Sequence, residues 1–186
     1  MFVLRVSIDV LPLVDIVQDY LDRQLNVFGE LKPIADSIVC CSAGADSTYL
    51  AYAISAILPD CHHHLVYFNH AQRPEAIPNE VAHVQALGAE LGMQVHIIAL
   101  DIQKVTQEAF RLARLDALTE LSKKISVSTV FFGHHLDDDM ETLWMQLGKG
   151  ATVGLRGIPF CTKYNDMHLL HPFLCLTKSQ IIDALQ

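Results

Sequence analysis

The chain has 186 residues, 51% apolar and 18% charged, which supplies one sizeable core and excludes a globally disordered segment. Thirteen Lys and Arg against twenty-one Asp and Glu give a net charge of −8, which argues against a generally cationic surface for nucleic acid or anionic lipid but leaves room for a local basic patch. Five cysteines without a C-x-x-C pair indicate neither a disulfide framework nor a zinc ribbon.

Met1–Val14 is apolar but interrupted by Arg5 and Asp9, with no small-residue cleavage site after it, so it reads as a strand or helix start and not a signal peptide. No apolar run reaches the roughly 18 residues of a membrane span, and the expectation is a soluble, cytoplasmic protein with no membrane partner. Leu11–Leu31 reads as a helix closed by Pro33 and packed on a sheet face. Ser37–Cys41 is the first strand, followed by a helix over Asp46–Leu58. Leu65–Phe68 is the second strand, and Glu80–Leu91 a helix stopped by Gly92. Val95–Leu100 is the third strand, Thr106–Lys123 a longer helix, and Val127–Phe132 the fourth strand. These four runs are almost continuously apolar, as strands covered on both faces must be. Asp137–Leu147 is helical, Gly148 to Gly157 mark a loop, Leu169–Leu176 reads as a fifth strand, and Thr177 caps a last helix. The expectation is an α/β fold: a doubly wound, mostly parallel five-stranded sheet with helices on both faces.

In such sheets ligands bind at the carboxyl ends of strands, where the strand order reverses. Three polar segments fall there. Ser42-Ala43-Gly44-Ala45-Asp46-Ser47 follows the first strand and opens a helix. Its small residues let backbone N–H groups close on an anion, and a Mg²⁺ between Asp46 and phosphates would explain the carboxylate. A serine-capped turn with Asp46 in the first helical turn accounts for the same residues. The segment is not a Walker loop, because G-x-x-x-x-G-K-[ST] occurs nowhere. Gly133-His134-His135-Leu136-Asp137-Asp138-Asp139-Met140-Glu141-Thr142 follows the fourth strand. Asp138 and Glu141 share a helix face and suit a Mg²⁺ or an ammonium group, whereas a merely solvated acidic helix start leaves the histidines unexplained. Asn69-His70-Ala71-Gln72-Arg73 follows the second strand and by itself reads equally as a surface turn. His62–His64 lie in a strand, where consecutive side chains alternate and converge poorly on a metal. Cys40 and Cys41 read as buried packing residues. Arg111 and Arg114, three apart, suit a phosphate clamp or a solvated basic stripe.

Together these segments resemble the PP-loop ATP pyrophosphatases and, within them, the tRNA(Ile)-lysidine synthetases. Ser42, Gly44, Asp46 and Ser47 match the superfamily pattern S-G-G-x-D-S. Gly133, His134, His135, Asp137, Asp138, Glu141 and Thr142 match the narrower G-H-H-x-D-D-Q-x-E-T. Asn69-His70 with Arg73 resembles [DN]-H-x-x-R, and Gln107–Arg114 resembles the E-A-A-R-x-x-R helix. Gly154–Ile158 resembles G-L-x-G-[MI], and His171-Pro172-Phe173-Leu174 resembles R-P-L-L. The match runs in order from about Ile38 to Ile182. The departures are Ala43 for the first loop glycine, Asp139 for glutamine, Leu115 for the tyrosine after Arg114, His171 for arginine, and a Lys149–Thr152 loop about one residue short.

The resemblance implies an adenine nucleotide alpha-hydrolase-like, Rossmann-like fold, and residues 1–186 as a single PP-loop ATPase catalytic domain ending before the C-terminal domains that bind tRNA. It implies ATP and Mg²⁺ as cofactors, and tRNA(Ile) with a CAU anticodon and L-lysine as partners; a homodimer stays open. The implied reaction adenylates C2–O of the wobble cytidine, releases pyrophosphate, and then lets lysine displace AMP to give lysidine. On this reading Ser42, Ala43, Gly44, Ala45, Asp46, Ser47, Asn69 and His70 bind the nucleotide, and Asp46 and Asp138 hold the metal. Asp46, Asp138, Glu141, Arg111 and Arg114 form the catalytic set, with Glu141 on the lysine amine and the arginines on developing phosphate charge. The alternatives are a 2-thiolation enzyme of the same superfamily, a nucleotide-binding module without catalysis, and a metal phosphohydrolase built on the histidine–aspartate cluster.

Overall fold

The computed structural model describes residues 13–29, 34–70, 74–100, 106–150 and 153–186. Met1–Pro12, where the first strand or helix start is expected, lies outside the described residues, as do Arg73 and the end of the Lys149–Thr152 loop. The strands are β1 (Asp36–Cys40), β2 (His62–Asn69), β3 (Gln94–Ala99), β4 (Thr129–Phe131), β5 (Cys161–Tyr164) and β6 (Met167–Leu170). The helices are α1 (Val14–Val27), α2 (Ala45–Ile57), α3 (Ile77–Leu91), α4 (Gln107–Ile125), α5 (Leu136–Gly148) and α6 (Lys178–Ala184). One sheet runs β3-β2-β1-β4-β6-β5, parallel throughout except for the β5–β6 pair.

The expected doubly wound α/β architecture is present, because each central strand is apolar on both sides. On one face Val39, Leu65, Tyr67, Phe131 and Leu170 pack under α1, α2, α3 and α6. On the other, Ile38, Val66, Phe68, Val130 and Leu169 pack under Leu115, Leu118 and Leu121 of α4. Chain order reverses beside β1: the connection from β1 leads outward to β2, and the return after α4 places β4 on the other side of β1. That switch point opens a crevice at the strands' carboxyl ends.

Among the described residues the sheet has six strands, not the expected five. Leu169–Leu176 does not continue as a strand: β6 ends at Leu170, and Pro172–Cys175 turn into a 3-10 helix. Pro172 cannot donate to a ladder, which ends the pairing there. The unforeseen strand is β5, joined to β6 by a turn in which Asn165 adopts φ 52°. Its signal was the Asn165-Asp166 pair between two short runs, the usual chemistry of a tight hairpin. β2 starts three residues earlier than its apolar run, because the histidines there are internally paired. His63 donates from Nε2 to the Leu58 carbonyl (3.0 Å), and its Nδ1 accepts from the Ser37 hydroxyl (2.8 Å). His64 instead meets His96 of β3 (3.0 Å), so the histidine run diverges as a strand requires. α1 lies against α2 and the 3-10 turn, with Val17, Leu21 and Leu25 buried. Among the described residues no helix is long and apolar enough to cross a membrane.

Candidate active site

The Ser42–Ser47 segment forms a tight loop between β1 and α2. Ser47 organises it: its Oγ accepts from Ser42 N–H (3.0 Å), donates to the Gly44 carbonyl (3.1 Å) and lies 3.2 Å from Ser42 Oγ. Ala43 sits at φ 62°, a left-handed conformation that an L side chain resists and glycine adopts freely. Here the departure from the family glycine is visible as backbone strain. Ala43→Gly is expected to raise stability by up to about 1 kcal/mol, the left-handed penalty less glycine's extra unfolded-state entropy. Urea unfolding midpoints measure this, and an equal or lower midpoint would contradict it.

Gly133 ends the β4 connection directly against this loop. A Cβ there would lie 3.4 Å from the backbone C and O of Asp46, in ordinary van der Waals contact, so the end of the strand packs closely on the loop backbone. The approach delivers the next residues to the loop. His135 is buried, with Nε2 3.8 Å from Asp46 Oδ1 and Nδ1 3.5 Å from both Asp137 Oδ2 and Asp138 Oδ2. Asp138 also accepts the His135 backbone N–H (2.9 Å), which fixes the start of α5. Asp137 accepts the backbone N–H of Lys178 (2.7 Å) and so ties α6 to α5.

A cleft of about 250 Å³ is lined by Ser42, Asp46, Ser47, His70, Arg114, Gly133, His134 and Asp138, with Cys40, Cys41, Phe68 and Phe132 at its floor and sides. The structure therefore gathers the anion loop, both expected metal carboxylates, His70 and Arg114. Ala43, Gly44 and Ala45 shape the loop without lining the cleft, and Asn69 stands at the end of β2, where its carbonyl accepts Leu100 N–H (3.0 Å). Arg111 lines a second, adjoining cleft of about 410 Å³, together with Arg114, Phe132, His134, Thr142, Gln146, Arg156 and His171. Arg111 also lies 3.5 Å from the exposed Glu108. Glu141 is exposed on α5, one turn beyond Asp138, and lines neither cleft.

The two clefts share a wall of stacked rings. His134, Phe132 and His171 form a three-ring cluster, with centroids 5.9 Å apart for Phe132–His134, 5.0 Å for His134–His171 and 5.7 Å for Phe132–His171. His171, which stands where the family has arginine, is buried and donates from Nδ1 to the Pro159 carbonyl (3.0 Å). Burial first, and His134 second, push its pKa down to about 4, so it is a neutral ring at pH 7. His134 is also held below the ordinary imidazole range by desolvation, which outweighs Asp138's opposite pull; Arg114 and His135 add to the lowering. The Asp139 departure likewise finds a role: its carboxylate accepts the Ile158 N–H and lies where a Gly157 side chain would be. Gln146 completes the attachment by accepting from Arg156 N–H (3.1 Å) and donating to the Arg156 carbonyl (2.6 Å).

Sequence reasoning missed Lys178. Its ammonium donates to Asp46 Oδ2 across 132 positions of chain, and no local pattern announces that pairing. The other Asp46 oxygen, Oδ1, is buried and without a hydrogen-bond partner. An acceptor-only atom left so at a cleft wall suits a hard cation. Among the described residues no three His, Cys, Asp or Glu side chains converge to hold a metal. Two carboxylates, with water and phosphate oxygens completing the shell, are what Mg²⁺ ordinarily takes.

A doubly wound sheet with a serine-rich anion loop at its switch point defines a phosphate-binding α/β domain of the nucleotide-using class. The chain belongs to the PP-loop domain family, whose pattern it matches over residues 17–186. It is 33% identical over 149 residues to a tRNA(Ile)-lysidine synthase of Methylobacterium sp. (strain 4-46), covering 78% of this chain and 43% of that protein. It is 29% identical over 163 residues to the Bacillus cereus (strain ATCC 14579) protein of the same name, covering 82% of this chain and 34% of that one. The chain thus spans less than half the length of these two relatives. Among solved structures it resembles the U34-tRNA thiolase NcsA from Methanococcus maripaludis, with a TM-score of 0.69 at 16% identity over 92% of this chain and 62% of that one. At that identity the likeness concerns the fold.

Proposed function

We propose that this chain is the nucleotide-activating domain of a tRNA(Ile)-lysidine synthase, joining L-lysine to C2 of the wobble cytidine of tRNA(Ile) with a CAU anticodon. One observation carries the reading. The histidine–aspartate segment that distinguishes this subfamily is folded onto the anion loop, with His135 between Asp46 and Asp138. The relatives named tRNA(Ile)-lysidine synthase support it. Cytoplasmic action accords with a tRNA substrate.

In the first step the C2 oxygen of cytidine attacks the α-phosphorus of ATP, and pyrophosphate departs. In the second, the neutral ε-amine of lysine attacks C2, and AMP carries the oxygen away. Catalysis of this kind rests on positioning and charge neutralisation. The Ser42–Ser47 loop receives the pyrophosphate moiety through its N–H groups and hydroxyls. Asp46 and Asp138 would hold Mg²⁺, which when bound offsets phosphate charge. Asn69 and His70 lie on the nucleotide side; the His70 ring stands edge-on to Phe110, 5.4 Å between centroids. Arg114, shared by both clefts, and Arg111 face charge that develops on phosphate. Glu141 is the carboxylate available to the lysine ammonium or to its departing proton.

The cysteines weigh against the thiolation alternative. Cys40 and Cys41 border the cleft, but burial raises both thiols, against the opposite pull of Arg114 at Cys40 and of hydrogen bonds from Ala43 and Ser47 at Cys41. A buried thiol of this kind is a poor sulfur nucleophile. The test is a product assay on the 186-residue chain and on a form extended by a relative's C-terminal domains. Pyrophosphate release that requires tRNA, and AMP release that further requires lysine, is the expected result. ATP hydrolysis without either would favour the phosphohydrolase reading. Mg·ATP binding without turnover in both forms would reduce the chain to a binding module.

A further inference from the structure

The anion loop carries no cation of its own. A Walker loop includes the lysine that meets its phosphates, but Ser42–Ser47 contains only an acid, Asp46. A polyphosphate would therefore approach a carboxylate, and positive charge has to arrive from elsewhere in the fold. Lys178 arrives there. Its ammonium rests on Asp46 Oδ2, while Asp46 Oδ1 is buried beside it without a hydrogen-bond partner, 3.8 Å from His135 Nε2. The backbone under Lys178 is held rather than loose. Thr177 N–H donates to Gln180 Oε1 (2.8 Å), Lys178 N–H donates to Asp137 (2.7 Å), and Leu136 N–H donates to the Leu176 carbonyl (2.8 Å). Asp137 belongs to the same segment as Asp138, so one stretch of α5 orders both a metal carboxylate and the residue bearing the ammonium. The Lys178 side chain stays 40% exposed, so it keeps freedom to turn on its flexible stem.

Building on the nucleotide reading above, we propose that Lys178 is a cation of this anion site, placed at the loop itself while Arg114 lines the cleft from α4. Its ammonium neutralises Asp46 and passes to a phosphate oxygen of the pyrophosphate moiety when nucleotide binds. The carboxylate it leaves becomes available to the divalent cation. Lys178 and that cation are thus alternative partners of Asp46, and nucleotide binding exchanges one for the other. No bond is made or broken in the exchange; three charged groups rearrange.

The exchange makes a prediction of opposite signs. Inorganic pyrophosphate in the presence of a chelator, and separately Mn²⁺ alone, are titrated by calorimetry into the 186-residue chain and into its Lys178→Met and Lys178→Arg forms. Removing the ammonium should weaken pyrophosphate binding about tenfold or more, the worth of a charged hydrogen bond. It should also tighten Mn²⁺ binding severalfold, because the competitor for Asp46 is gone. Lys178→Arg should retain most of the pyrophosphate affinity. A purely structural lysine would instead lower both affinities in Lys178→Met, and that result overturns the proposal, as does unchanged affinity for either probe. In each of those cases the wild-type chain still binds Mg·ATP, and the nucleotide reading survives. If the wild-type chain binds neither pyrophosphate nor Mg·ATP, both fall together.

Discussion

Asp46→Asn and Asp138→Asn are each expected to remove Mg·ATP-dependent chemistry while leaving the fold in place. Both substitutions keep shape and replace a charged oxygen with an amide. At position 138 the remaining amide oxygen can still accept the His135 N–H, so the start of α5 keeps its cap. At position 46 the pair with Lys178 weakens, but that lysine is 40% exposed and readily solvated. Loss of a charge positioned against the phosphates should lower turnover by roughly a hundredfold or more. The effect should also depend on the metal. Without Mg²⁺, ATP should bind Asp46→Asn as well as wild type or better, because a negative charge has left the phosphate site. With Mg²⁺, the wild-type gain in affinity should disappear. Calorimetry with and without Mg²⁺, beside thermal unfolding, measures both parts. Full Mg²⁺-dependent activity in either variant would sink the metal assignment.

The second large effect concerns acid. His171 is buried against the Pro159 carbonyl and the His134 ring, and its pKa lies near 4 in the folded chain. In the unfolded chain it returns to the ordinary imidazole value near 6.5. Above that value neither state holds the proton, and the group adds no pH dependence. Between about 6.5 and 4 the unfolded state binds a proton that the folded state refuses, so stability falls as the pH falls. The loss accumulates at about 1.4 kcal/mol per pH unit and reaches roughly 3 kcal/mol near pH 4. His134 titrates in contact with His171, and other buried histidines add to the acid sensitivity, so the comparison with a variant isolates this group. His171→Gln keeps a donor for the Pro159 carbonyl and cannot titrate. Its stability should therefore vary less between pH 7 and 4.5 than that of wild type, by a large part of that amount. Identical urea midpoints in the two proteins at both pH values would contradict the assignment. An arginine here, as the family pattern has it, would bring a permanent charge into a ring stack that this chain keeps neutral.

How much was legible beforehand differs between fold and site. The central strands were readable because burial on both faces forces continuous apolar runs, and Val39 and Ile38 show why: adjacent residues face opposite cores and neither tolerates polarity. The edge hairpin was not readable in the same way. β5 is a four-residue strand with Thr162 and Lys163 at its centre and an exposed side, so its composition matches a loop. Within the site, the anion loop and the histidine–aspartate run stood out as local patterns of small and ionisable residues. Their roles did not. His135 could be placed only once the approach of Gly133 to the Asp46 backbone was seen.

By itself the sequence determined what is set by neighbours along the chain: alternating strands and helices, the small residues that let the Ser42–Ser47 loop close, and the capping position Thr177. These follow from local sterics, from hydrogen bonds spanning a few residues, and from apolar periodicity. Tertiary structure alone decided which distant charges meet. It set Lys178 on Asp46, Asp139 on Ile158 and Gln146 on Arg156, and it brought His171 against His134 at the wall between the clefts. The reason is physical. Such pairs depend on the order in which strands assemble around β1, and a charge or a ring carries no mark in the sequence of the partner that the sheet will bring to it.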